Sequence, residues 1–176
     1  MFLELFATFA IGLGAAGVIL LVNLLVGKRL PRWFLPAGAG LAMIGFSVWS
    51  EYTWYDRTTT TLPEEIVVAW AHETSAFYKP WTYVSPQVDR FVAVDLETIR
   101  TNDDLPGQRM VDLFFFGRWA PVRQIRVVID CANNRRADLM EGVAMDANGN
   151  VEESAWIPLE PEDPVLLKTC EEEVLG

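Results

Sequence analysis

The side chains in this sequence best suited to chemistry are four carboxylates in strand-like surroundings (Asp95, Glu97, Asp112 and Asp130), the pair His72-Glu73, and two cysteines, Cys131 and Cys170. Two carboxylates held together can do general acid–base work, and a histidine near a carboxylate can serve as a base. No spacing singles out a pair among the four. Their expected roles are solvated strand positions or partners of Arg100, Arg109, Arg126 and Arg136. His72 is expected to be an exposed structural residue. The chain carries no G-x-S-x-G, H-E-x-x-H, Walker A or C-x-x-C-H motif. One histidine and two cysteines also make a multi-ligand zinc site improbable. We therefore expect no catalytic residue, no metal and no cofactor, and do not read the chain as an enzyme.

Gly12, Gly14 and Gly17 spell G-x-G-x-x-G, but that fingerprint works only between a strand and a soluble helix N-terminus. Here it lies inside an uncharged run over residues 5–27, long enough to span a bilayer as a helix. A second uncharged run covers residues 33–50, bounded by Trp33 on one side and by Trp49, Tyr52, Trp54 and Tyr55 on the other. Such aromatics suit membrane interfaces. Ala10, Gly14 and Gly17 fall at i, i+4, i+7, and Gly38, Ala42 and Gly45 repeat the spacing; stripes of small residues let transmembrane helices approach closely. The two stripes are expected to face each other, or a partner's helix.

Between the runs sit Lys28, Arg29 and Arg32, whereas Glu4 and the segment from Glu51 to Asp56 are acidic. The positive-inside rule then puts the turn in the cytoplasm and both termini in the periplasm, as a two-pass protein of the bacterial inner membrane. A cleaved signal peptide fits poorly, because the basic cluster follows the apolar run rather than preceding it.

From Glu51 to Gly176 there are 11 Lys+Arg against 23 Asp+Glu, a net charge of −12. That balance disfavours nucleic acid and invites a basic partner. The expected plan is a transmembrane hairpin over residues 1–55, a linker over 56–65 containing the Thr58–Pro63 stretch, and a β-rich domain over 66–176. Strand-like runs cover residues 66–70, 91–94, 110–116 and 125–129. Asn148-Gly149 is a hairpin-turn signal, preferred over a calcium loop because Gly149 is out of register for one. Two cysteines in an exported domain favour one disulfide, with two inert thiols as the other reading. The cluster Phe77, Tyr78, Trp81 and Tyr83 is either a protein contact or satellite core packing.

The order VAVDLETIR (92–100), Gln108-Arg109-Met110-Val111, VVIDCANNRR (127–136), Trp156 and a final Leu167-Lys168-Thr169-Cys170 resembles the surface-adhesin protein E-like family. The resemblance spans about 90 of the 176 residues, from Trp81 onward. It implies a compact β-rich fold with a Cys131–Cys170 bridge. The hairpin departs from that family's usual free or lipid-anchored form. The fold class expected is thus a membrane-anchored α+β protein with a disulfide-bridged periplasmic domain. The functional expectation is a non-catalytic accessory or assembly subunit of a larger membrane complex. A stand-alone envelope binding module is the alternative, and an uncharacterised hydrolase comes third.

Overall fold

The computed structural model describes residues 2–139, 149 and 151–171. The chain divides into two compact units, residues 1–57 and 58–176.

In the first unit, α1 (Phe2–Leu25) and α2 (Phe34–Thr59) form an antiparallel helical pair. Gly27, at φ +74°, ends α1: its N–H donates to Leu24 O and that of Lys28 to Asn23 O, so two carbonyls left over at the helix end are satisfied. The Asn23 side-chain oxygen then accepts the Leu30 N–H at 3.0 Å and fixes the turn. Among the described residues α1 is the one helix long and apolar enough to cross a membrane. The apolar part of α2 is diluted by Pro36, three glycines and two serines, and its last turns carry Glu51, Asp56 and Arg57.

The face joining the two helices differs from the one expected. A Cβ on Gly12 would lie 2.8 Å from Met43 Sδ, and one on Gly38 would run into Ile19 Cδ1. Each glycine is the hole for a long side chain of the other helix. Glu4 and Ser50 close the same seam, with Ser50 Oγ donating to Glu4 Oε1 at 3.1 Å. Ala10, Gly14, Gly17 and Gly45 are exposed, and nothing beyond their own helices approaches the three glycines. Only Gly38 and Ala42 of the two stripes turn toward α1. The stripes therefore do not face each other, because Ile11, Gly12, Ala15 and Ile19 form the inner face of α1 and Gly14 lies on the opposite side of the helix.

A second correction concerns the linker. Helix α2 continues through Trp49, Tyr52, Trp54 and Tyr55 to Thr59, instead of yielding to an extended segment at 56. The low helix propensity of threonine amounts to only a few tenths of a kcal/mol per residue. Arg57 offsets it, donating to Thr53 O and Ser50 O and lying 5.5 Å from the Trp49 ring. Pro63, which cannot continue a helix, follows the final turn.

The second unit is a curled antiparallel meander in the order β1 (Ile66–Thr74), β2 (Gln87–Asn102), β3 (Leu105–Gly117), β4 (Ala120–Asp130), β5 (Arg135–Asp138) and β6 (Trp156–Pro158). With the helices it makes an α+β fold. The strands are longer than the apolar runs suggest, since pairing extends them through polar residues. One face buries Val94, Val111, Leu113, Val127 and Ile129 against Val165 and Leu166 of α3 (Pro164–Glu171). A smaller cluster gathers Val128, Ala137 and Val151 with Met110 and Trp156.

Cys131 and Cys170 are joined by a disulfide, their Cα atoms 5.9 Å apart, which ties the end of α3 to the end of β4. Arg109 Nη1 also donates to the Thr169 carbonyl at 2.6 Å, a cation on the carbonyl end of α3. The Asn-Gly turn lies outside the described residues except for Gly149, whose φ of +87° suits glycine.

Candidate functional site: the aromatic end of the sheet

Of the four carboxylates that could do chemistry, Asp112 and Asp130 are taken up by structure. Asp95 and Asp112 sit opposite each other on β2 and β3, and Arg126 is the next residue across on β4. Arg126 donates to both oxygens of buried Asp112, at 2.7 and 3.0 Å, and Gln124 adds a bond at 2.9 Å. The Arg126 hydrogen bonds hold the Asp112 carboxyl below its ordinary pKa, against the opposing pull of burial and with help from Gln124. A carboxylate so held stays ionised and is a poor proton donor at neutral pH. Glu97 is exposed, and its N–H donates to Asp95. His72 is half-buried rather than exposed, with its ring 5.4 Å from that of Trp70.

Asp130, in the DCANNRR segment, organises the turn from β4 to β5. One of its oxygens accepts the N–H groups of Ala132 and Asn133, both at 3.1 Å; the other accepts Asn133 Nδ2 at 2.8 Å and Arg135 Nε at 2.9 Å. Burial works to raise its pKa, and the bonds from Asn133 and Arg135 outweigh burial, so the net direction is down. Arg135 reaches on to Glu153 at 2.7 Å and lies over the Trp156 ring at 4.5 Å. This part of the motif is a folding device.

The aromatic cluster is on the surface. Phe77, Tyr78, Trp81 and Tyr83 are all exposed, Phe77 at 85%, and Val84 beside them is 90% exposed. Core packing, one of the two readings of the sequence, does not describe them. The loop that shows them is nevertheless built: Thr82 is buried, its hydroxyl accepting the Ala76 N–H at 2.9 Å and donating to the Lys79 carbonyl at 2.7 Å. A 3-10 turn over Pro80–Tyr83 continues it. Lys79 Nζ lies 5.7 Å from the Tyr78 ring.

The strand register brings further residues to the same end of the sheet. The β1–β2 loop and the β3–β4 hairpin adjoin there, where the Arg118 N–H donates to the Asp89 carbonyl at 2.9 Å. Exposed Trp70, Trp119 and Val122 join the loop aromatics. The cations Lys79, Arg90, Arg118 and Arg123 outnumber Glu73 and Asp89 across residues 71–90 and 116–124. The domain is acidic, but this end of it is not. Trp70, Arg90 and Arg123 escaped sequence reading because they lie on three strands, and only the pairing of Trp70 with Val92, Arg90 with Gly117, and Phe115 with Arg123 brings them together.

No family model matches the chain, and no curated protein or solved structure matches it. These comparisons do not bear on the surface-adhesin protein E-like resemblance. Several of its motif residues have structural work: Asp130 the turn, Cys131 and Cys170 the bridge, Arg109 the end of α3.

Proposed function

We propose that this chain is a non-catalytic accessory or assembly subunit of a larger bacterial inner-membrane complex, in the manner of small subunits of respiratory or photosynthetic assemblies. On this reading α1 and α2 cross the membrane as a hairpin, with both termini in the periplasm. The observation that carries the reading is the outer surface of the helical pair. Phe6, Leu13, Val18 and Leu20 of α1 are exposed, and Ala10, Gly14, Gly17 and Gly45 lie outside the seam between the helices. Large apolar side chains there call for lipid, and small ones suit the close approach of another helix.

The acidic groups Glu64, Glu65, Asp103 and Asp104 lie before β1 and in the β2–β3 turn, at the strand ends away from the aromatic loop. They suit a basic periplasmic partner. The test is copurification of the full chain in mild detergent followed by mass spectrometry, with Gly14→Leu/Gly17→Leu as the comparison. Specific companions that the double variant loses are expected. A chain that migrates alone would sink the proposal and leave the stand-alone binding module in its place.

A further inference from the structure

We infer that the aromatic end of the β domain is a second, peripheral membrane contact that lies in the headgroup layer of an anionic bilayer. The inference rests on the membrane reading of the helical pair and adds a contact that this reading does not require. Its first support is residue type. Tyrosine and tryptophan, apolar in body and polar at one edge, favour the boundary between acyl chains and water, and phenylalanine and valine can enter slightly deeper. Phe77, Tyr78, Trp81, Tyr83 and Val84 form one exposed apolar group, larger than the isolated apolar side chains common on soluble surfaces.

Charge is the second support. In a unit, residues 58–176, that holds 10 Lys+Arg against 21 Asp+Glu, Lys79, Arg90, Arg118 and Arg123 collect beside these aromatics. Basic groups near an anionic lipid surface gain attraction that falls off within about 10 Å at moderate salt. An acidic protein surface would offer the same sign of charge and could also meet aromatics, but its contact would be indifferent to lipid charge, which the experiment below varies.

The third support is shape. An open hollow of about 320 Å³ lies among Trp70, Arg90, Val92, Phe115, Gly117 and Arg123. Its floor is apolar and its rim carries two guanidinium groups. Gly117 lines it opposite Arg90 on β2, and Phe115 lines it opposite Arg123 on β4. Acyl carbon would lie against Trp70 and Phe115, and a phosphate would meet a rim arginine. The loop is already ordered through Thr82, so little conformational entropy would be lost on contact.

The experiment uses the full chain in vesicles of phosphatidylcholine, alone or mixed with phosphatidylglycerol. Carbonate extraction first establishes whether the helical pair is embedded, so that failure of the anchor is told apart from failure of the contact. A nitroxide is then placed at Tyr78→Cys or, as a control in the β2–β3 turn, at Asp103→Cys, with the Cys131–Cys170 bridge verified by mass. The Tyr78 label is expected to be several-fold less accessible to a water-soluble nickel chelate than the Asp103 label. That protection should grow with phosphatidylglycerol and shrink in Arg90→Glu/Arg123→Glu. Equal accessibility of the two labels in embedded protein overturns the inference. So does protection that follows the protein-to-lipid ratio, which would mean that a second copy covers the loop, or protection indifferent to lipid charge.

Discussion

Arg126 on β4 grips both oxygens of Asp112 on β3, directly across the ladder, while Asp95 faces the same carboxylate from the other side. Without the guanidinium, two like charges would oppose each other on adjacent strands, which is destabilising. The ion pair thus lets an acidic sheet close.

The pH dependence follows from the depressed pKa values of Asp112 and Asp130. A carboxyl whose folded pKa lies below its unfolded value contributes stability that is complete above the ordinary value of about 4 and is lost as pH falls through the folded one. The native domain should therefore unfold at lower urea concentration below about pH 4. Asp112→Asn should flatten that acid limb and lower stability at pH 7 by about 1–2 kcal/mol, a modest figure because Arg126 is half exposed and regains water. An unchanged acid limb would assign the effect elsewhere.

Asp130 accepts from four donors, and two of these are backbone N–H groups of the β4–β5 turn. Asp130→Ala should cost about 3 kcal/mol, toward the upper end for a single substitution, since several donors lose their acceptor at once. Asn133→Ala should cost less, because Arg135 and the two backbone donors keep theirs. Equal losses in the two variants would show that Asn133, not the carboxylate, organises the turn.

Reduction of Cys131–Cys170, or their joint replacement by serine, reopens a loop whose ends are 39 residues apart in sequence. The chain-entropy estimate for a loop of that size is about 4 kcal/mol. Hydrogen exchange should show α3 losing protection before β2 and β3, since α3 then keeps only non-covalent ties such as the packing of Val165 and Leu166 and the Arg109 bond. Simultaneous loss across the sheet would mean that α3 and the sheet open as one unit.

The helical pair makes a paired expectation. Gly12→Leu and Gly38→Leu each force a side chain into Met43 or Ile19 and should separate α1 from α2, read as lost cross-linking between cysteines placed across the seam. Gly14→Leu, Gly17→Leu and Gly45→Leu meet nothing in this chain and should leave cross-linking intact. The reverse pattern would refute the seam described above.

The features legible in the sequence alone were those written in contiguous residues. The uncharged run of α1, the strand-like runs inside β1 to β4 and the availability of two cysteines for one bridge each follow from local composition and spacing. Tertiary structure decided the rest. Which glycines line the seam depends on the rotation of one helix against the other, so Gly12 serves where Gly14 has equally suitable chemistry. Helix α2 outlasts its threonines because Arg57 bonds back to earlier carbonyls. The partner of Asp130 is Arg135, across a turn that the carboxylate itself builds. Net charge, a property of the whole chain, suggested an acidic contact surface, whereas strand pairing concentrates cations and aromatics at one end of the sheet. Composition is a sum over residues, and a surface depends on which of them the register places side by side.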